Sequence, residues 1–325
     1  MKKNLLSLAP VSLETLKSLI QRSPGVPEFD LIDGHDMSGE ELGQAFAKAD
    51  VVLGTWTFKR IGKDLIDRAG PLKLIQQPSI GYDNVDLKAC SERRIRVANV
   101  PTGNVVTVAE HTIAMALALS RKLVRANSSV REGRWDRLTL EPFELGVKTW
   151  GIVGLGEIGR AVALRLRPFG LTKVLYYAPN QAAKTVEEEY GVEYSSLPML
   201  LKASDIVSLH APLNGSTRNM IDAGALSSMK SAAYLINVGR GGLVDEAALA
   251  DALLKQVIAG AAIDVYAEEP PGAADPLLKV PEDKILFTPH IAGMSSEGMH
   301  RIMMESAENI ARALAGKDPL HVVNP

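Results

Sequence analysis

Cysteine is nearly missing. Cys90 stands alone in 325 residues, so the chain can form neither an internal disulfide nor a cysteine-based zinc cluster; no metal site is expected, and a reducing, cytoplasmic compartment is. An excess of either charge is missing too. Lysine and arginine number 36 against 38 aspartates and glutamates, a formal net charge of −2, which leaves no field to collect phosphate backbones and excludes nucleic acid as the expected partner. No apolar run approaches the roughly 18 residues that a membrane span needs. The opening MKKNLLSLAP has a basic end but a short apolar run broken by Pro10, which reads as a buried first strand rather than a secretion signal. Repeats, low-complexity tracts and Gly/Ser-rich linkers are absent, so two lobes held rigidly around a cleft are expected rather than tethered domains.

What is there is a long alternation of short apolar runs and helical patterns, the mark of βαβ units and parallel sheets. At 46% hydrophobic and 23% charged, the composition is that of a folded globular chain with length for two domains. Early strands are expected at Leu5–Ala9, Phe29–Ile32, Val51–Gly54, Leu72–Gln76 and Arg96–Val100, with helices such as Ser12–Gln21 and Ser38–Ala47 between them. A helix over Val105–Leu123 is apolar on most faces and should be buried between layers. Residues 124–147 are more polar, with many arginines plus Trp135 and Phe143, and read as a connector or contact arm. A second series follows, with strands at Thr149–Val153, Lys173–Tyr177, Ile206–His210, Ala233–Asn237, Gly260–Asp264 and Ile285–Phe287, then a last helix over Ser295–Ala315.

Two places carry chemistry. The strand KTWGIVG runs into Gly154-Leu155-Gly156-Glu157-Ile158-Gly159 and then a helix pattern. Between strand and helix, that spacing predicts a dinucleotide site: Gly154 for the turn, Gly156 for backbone approach to the pyrophosphate, Gly159 for close packing, and the phosphate charge on the helix N-terminus. The next strand should end in an acidic residue that binds the adenosine ribose, but Ala178 stands there, followed by Pro179, Asn180 and Gln181. Without that carboxylate nothing repels a 2′-phosphate. NADP is therefore favoured weakly over NAD, although the nearest cation is Lys184 and no arginine follows.

The second place is a set of charged strand ends. AAYLIN leads into Val238-Gly239-Arg240-Gly241-Gly242, which puts a planar guanidinium at the carboxyl end of a parallel strand, suited to a bidentate grip on a carboxylate. KILF ends in Thr288-Pro289-His290-Ile291-Ala292-Gly293, and a carboxylate beside such a histidine would orient the ring for acid–base work. Glu268 and Glu269 are both candidates for it. Of the other histidines, His35, His300 and His321 read as surface residues, His111 as a structural group on the buried helix, and His210, before Ala211-Pro212, as a residue lining the cofactor cleft.

Taken together, GYDNVD at 81–86, NVPTGNVVTVAEHT at 99–112, GLGEIG at 154–159, INVGRGGLVDEAAL at 236–249, DVYAEEP at 264–270 and TPHIAG at 288–293 make the chain resemble the D-isomer-specific 2-hydroxyacid dehydrogenases along nearly its whole length. The resemblance implies an α/β protein of two doubly wound parallel-sheet domains. A flavodoxin-like substrate domain would comprise 1–102 and 291–325, a Rossmann cofactor domain 103–290, and two copies would pair through the cofactor domain and its arm. It implies that Arg240 holds the 2-oxo acid carboxylate and polarises the keto oxygen, that His290 is the proton donor, and that Glu269 keeps it charged. Cofactor contacts would come from Gly154 to Ile158, Ala178, Asn180, His210, Ala211, Pro212, Thr217, Val238, Gly239, Asp264 and Gly293. Substrate contacts would come from Ser79, Ile80 and Gly81 and from Trp56, which serves equally well as a core residue.

The expected activity is reduction of a small 2-oxo acid, of the glyoxylate or hydroxypyruvate class, with a bulkier acid as the alternative. Formate dehydrogenases of this fold carry Gln where Glu269 stands, and phosphite dehydrogenases carry Lys where Ile80 stands, so neither substrate is favoured. No regulatory domain is expected after Pro325. A different class, a dinucleotide-sensing partner-recruiting protein resembling the C-terminal-binding-protein corepressors, shares the scaffold and the charged set.

Overall fold

A computed structural model of the chain describes residues 2–56 and 60–324. The chain divides into two compact units, Met1–Asn104 with Ser295–Pro325, and Val105–Met294. The divisions fall two and four residues later than the expected 102/103 and 290/291.

The first unit is built on β1 (Lys3–Ser7), β2 (Phe29–Asp33), β3 (Val51–Leu53), β4 (Leu74–Gln76) and β5 (Arg96–Ala98), all parallel, in the order β2-β1-β3-β4-β5. This is the flavodoxin-like doubly wound order. Helices cover both faces because the strands are apolar on both. One face buries Leu6, Val52, Ile75 and Val97 with Phe46 and Ile66, and the other buries Leu5, Val51, Leu53 and Leu74 with Leu16, Ile20 and Ile310. Ser12 starts the helix Leu13–Gln21 by accepting the Thr15 N–H, as a serine at a helix start should. Cys90 is fully buried, and burial pushes its thiol up to about 12, which leaves it a small apolar core residue rather than a nucleophile.

The second unit opens with the helix Val105–Ser120. Its sheet holds β6 (Thr149–Val153), β7 (Lys173–Tyr177), β8 (Glu193–Tyr194), β9 (Ile206–Leu209), β10 (Tyr234–Asn237), β11 (Gly260–Ile263) and β12 (Ile285–Phe287), in the order β12-β11-β10-β9-β6-β7-β8, parallel throughout. The chain enters at β6, builds outward to β8, then returns to β9 on the other flank. The switch of direction between β6 and β9 is where such sheets hold their ligands.

The arm needs correction. Leu123–Arg131 is helical, not connector loop, and Lys122 at φ 55° breaks it from Val105–Ser120. Phe143 is not exposed either: its ring packs against Tyr234 at 5.4 Å, with the Lys148 ammonium 4.9 Å from its centroid. Trp135 remains 78% exposed. Among the described residues no helix is long and apolar enough to cross a membrane, and no group of three or more metal-ligating side chains could hold an ion.

Candidate active site

Parallel strands place all their carboxyl ends on one edge of the sheet, and the second unit uses that edge throughout. Gly154 follows β6, Ala178 follows β7, His210 follows β9, Arg240 lies just beyond β10, Glu269 beyond β11 and His290 beyond β12.

At the switch point, Gly154 sits at φ +101°, and a side chain there would meet the His210–Ala211 peptide at 2.8 Å; one at Gly159 would meet the Gly154 carbonyl at 2.1 Å. Space requires both glycines, and Gly154 is required by its conformation as well. A side chain at Gly156 would project into open space. The Gly154 N–H is taken by Tyr177 O, and the first bond of the following helix is Arg160 N–H to Gly156 O. The N–H groups of Leu155 through Gly159 thus have no acceptor among the described residues, at the positive end of the helix Glu157–Leu166. That is a phosphate cradle, and these residues fit a dinucleotide.

His210 flanks the cradle. Trp150 Nε1–H donates to Ser208 Oγ at 2.9 Å, and Ser208 Oγ lies 2.9 Å from His210 Nε2. Burial pushes the imidazole down to about 3, so the ring is neutral, and its buried Nδ1 has no partner among the described residues. An orphaned polar atom beside the cradle is a further sign of a ligand. Thr217 closes its own turn, with its hydroxyl donating to Pro212 O at 2.7 Å and accepting from Asn214 N–H at 2.8 Å.

The edge beyond β7 carries no acidic residue of its own. Ala178 packs against the core and Asn180 is exposed. Behind them Glu187, buried, accepts from Gln181 Nε2 at 2.9 Å and from Tyr176 Oη at 3.0 Å, while Tyr176 Oη accepts the Ala182 N–H. The Gln181 amide, helped by Tyr176 and Lys184, holds the Glu187 carboxyl below its usual range despite burial. Lys184 reaches Glu187 at 3.3 Å and stays 77% exposed.

Arg240 is fixed from both sides. Asn237, the last residue of β10, donates through Nδ2 to Arg240 O at 2.9 Å and accepts the Gly239 N–H at 3.1 Å, while Arg240 Nη1 donates to Gly239 O at 2.7 Å. Val238 is buried and Gly239 half-buried. Sequence reasoning passed over Asn237, although an Asn at a strand end before a glycine is a turn signal.

Glu269, rather than Glu268, meets the histidine. His290 Nδ1–H donates to Glu269 Oε2 at 2.7 Å, and the Tyr266 N–H donates to Oε1 at 2.8 Å. The carboxylate side chain is 9% exposed and the imidazole 40%. The pair leaves Nε2 as the ring nitrogen turned away from the carboxylate, which is the arrangement of an oriented acid–base histidine.

His290 has φ 53°, a left-handed conformation that a non-glycine residue holds only when its surroundings impose it. Asp264 imposes it. Its carbonyl accepts the His290 N–H at 2.8 Å, its fully buried carboxylate accepts from the Thr288 hydroxyl, and the Ile291 and Ala292 N–H groups each donate to it at 2.9 Å. Asp264, expected as a cofactor contact, thus also frames the turn that carries His290. Gly293 ends that turn. His111 lies against the same group, 3.2 Å from Thr288 Oγ1, and burial lowers its pKa against the pull of Asp264.

The remaining expected contacts belong to the first unit. The carbonyls of Ser79, Ile80 and Gly81 are taken by Val100 N–H, Asn99 Nδ2 and Ser79 Oγ, but their N–H groups have no acceptor among the described residues. They form a half-exposed set of donors suited to an anion. Trp56 is half-buried against the core around Leu5 and Ile310.

A glycine cradle at the switch point and an oriented His–Glu pair on the same sheet edge define a dinucleotide-binding Rossmann unit built for acid–base chemistry. Residues 113–292 match the family model of the D-isomer specific 2-hydroxyacid dehydrogenase NAD binding domain, and the chain belongs to that family. It is 39% identical over 268 residues to a glyoxylate reductase of Korarchaeum cryptofilum, covering 81% of this chain and 80% of that one. It is 38% identical over 288 residues to a D-3-phosphoglycerate dehydrogenase of Archaeoglobus fulgidus, covering 89% of this chain and 54% of that one. The chain thus spans about half the length of that relative. Among solved structures, a D-lactate dehydrogenase of Aquifex aeolicus complexed with NAD and lactic acid superposes with a TM-score of 0.88 at 28% identity, covering 99% of each chain.

Proposed function

We propose that the protein is a nicotinamide-dependent reductase of small 2-oxo acids of the glyoxylate and hydroxypyruvate class, forming the D-2-hydroxy acid. The observation that carries this is the 2.7 Å His290–Glu269 pair, on the sheet edge that also bears Arg240 and the phosphate cradle. A dinucleotide held at the Gly154–Gly159 cradle would supply the hydride for the keto carbon. Arg240 grips the acid's carboxylate and polarises its keto oxygen, and His290 Nε2–H gives that oxygen its proton as charge develops on it. Glu269 stabilises the charged imidazole and fixes its tautomer. In the reverse direction His290 is the base. The amides of Ser79, Ile80 and Gly81 are assigned to an anion of the same acid class.

The test is a kinetic panel of glyoxylate, hydroxypyruvate, pyruvate, 3-phosphohydroxypyruvate and phenylpyruvate against NADH and NADPH, followed by loss of the reduced-nicotinamide absorbance. Turnover is expected to be fastest with glyoxylate or hydroxypyruvate. Preference for the phosphorylated or the aromatic acid would replace the substrate assignment. Tight dinucleotide binding with no turnover across the panel would favour the sensing reading.

We further propose NADP as the preferred cofactor, with NAD accepted. Ala178 puts no charge at the ribose edge, and Glu187 behind it is buried and engaged with Gln181, Tyr176 and Lys184. Ala178→Asp is expected to move the NADH-to-NADPH ratio of kcat/KM toward NADH by about tenfold or more, about 1.4 kcal/mol. An unchanged ratio would place the discrimination elsewhere. A cytoplasmic homodimer is proposed as the working form, supported by the exposed apolar residues Val130, Trp135 and Leu138 on the arm.

A further inference from the structure

Glu269 must stay within hydrogen-bond distance of a histidine carried by another strand, yet its own loop, from Val265 to Asp275, contains no helix or strand. Two successive peptide groups of that loop are instead held by carboxylates. The Tyr266 N–H donates to Glu269 Oε1 at 2.8 Å, and the Ala267 N–H donates to Glu246 Oε1 at 2.7 Å. Glu246 comes from a different element. It opens the helix Glu246–Leu254, which follows the Arg240 loop and is started by Asp245 accepting the Ala248 N–H.

The two loops also touch through backbone. A side chain at Gly241 would lie 1.9 Å from Tyr266 C and 2.3 Å from Ala267 N, so the peptide beside Arg240 packs directly on the Tyr266–Ala267 peptide. Glu246 binds the same peptide through the Ala267 N–H. Burial raises its carboxyl pKa, and the nearby charges of Asp275, Glu269 and Asp245 add to this, with the Ala267 N–H opposing. The helix start favours negative charge at this position, and an ionised acceptor would strengthen the bond to Ala267.

We propose that Glu246 is a positioning residue for the acid–base pair: by taking the Ala267 N–H it fixes the 266–267 peptide so that Tyr266 N–H occupies Glu269 Oε1 and Oε2 is the oxygen presented to His290 Nδ1. Glu246 touches neither substrate nor dinucleotide in this role. It acts through Glu269. The kinetic part of the inference rests on the reductase reading above; the geometric part does not.

The test uses the full chain carrying Glu246→Ala, Glu246→Gln and Glu246→Asp, each checked for wild-type dinucleotide affinity. Two quantities are read: the ring-nitrogen chemical shifts of His290 in 15N-imidazole-labelled protein, assigned by their loss in His290→Gln, and steady-state kcat and KM. Glu246→Ala is expected to weaken the Nδ1–H signature of the carboxylate-bonded ring and to lower kcat by about ten- to a hundredfold, leaving KM for the dinucleotide within about twofold. Glu246→Asp, which keeps the charge but withdraws the acceptor by one methylene, should follow in the same direction and cannot fail for want of a good helix start. Glu246→Gln keeps an oxygen for Ala267 and should restore both readouts to within about threefold. Wild-type spectra and rates in Glu246→Ala, or loss in Glu246→Gln as deep as in Glu246→Ala, would overturn the latch. If the wild-type chain reduces none of the 2-oxo acids but the spectra respond as stated, the latch stands and the reductase reading falls.

Discussion

His290→Ala is expected to lower kcat for 2-oxo acid reduction by about a hundred- to ten-thousandfold, the span that a positioned proton donor supplies, while dinucleotide affinity stays within about twofold. The imidazole is held in a donor orientation by a carboxylate, through the 2.7 Å bond to Glu269. The phosphate cradle at Gly154–Gly159 lies at the switch point between β6 and β9, whereas His290 follows the edge strand β12. Removing the ring therefore leaves the cradle alone. The turn survives as well, since its backbone is held by Asp264 through the N–H groups of residues 290 to 292. Titrating the dinucleotide by fluorescence and measuring kcat with both substrates saturating checks both halves. A variant at the wild-type rate would end the proton-donor assignment.

Arg240→Lys should lower kcat/KM for the acid by about a hundred- to a thousandfold, roughly 3–4 kcal/mol, with KM for the dinucleotide little changed. The loop places the guanidinium with care: Asn237 holds the backbone of residues 239 and 240, and Gly239 O holds Nη1. A lysine would keep the charge but could not reproduce two parallel N–H donors in one plane, so it would bind the carboxylate as a point charge and lose the contact that polarises the keto oxygen. Efficiency equal to wild type would put Arg240 outside the substrate's reach.

The glycine cradle and the charged strand ends were legible because their signals are local. A strand followed by Gly-x-Gly-x-x-Gly and a helix is a contiguous pattern, and Arg240 and His290 each stand just beyond an apolar strand run. The strands were placed to within a few residues by their apolar runs. The two-residue β8, Glu193–Tyr194, was missed because it is too short and too polar for period two to register. The helix Leu123–Arg131 was read as part of the 124–147 connector because most of its residues are polar, although Leu123, Ala126 and Val130 fall at helical spacing. Trp56 could not be divided between pocket and core from its neighbours in the chain; it is half-buried at the edge of the core that contains Leu5 and Ile310.

The amino-acid order alone determined the alternation of strands and helices, the glycines where the backbone must turn or approach closely, and which ionic side chains end the strands. These follow from steric rules and periodicities that act over a few residues. Tertiary structure alone decided that Asp264 frames the histidine's turn, and that Glu246 and Asn237 hold the loops carrying Glu269 and Arg240. Each of those is a single hydrogen bond or a short set of them, often to a backbone N–H that every residue possesses, between segments whose proximity is created only when the parallel strands align their ends.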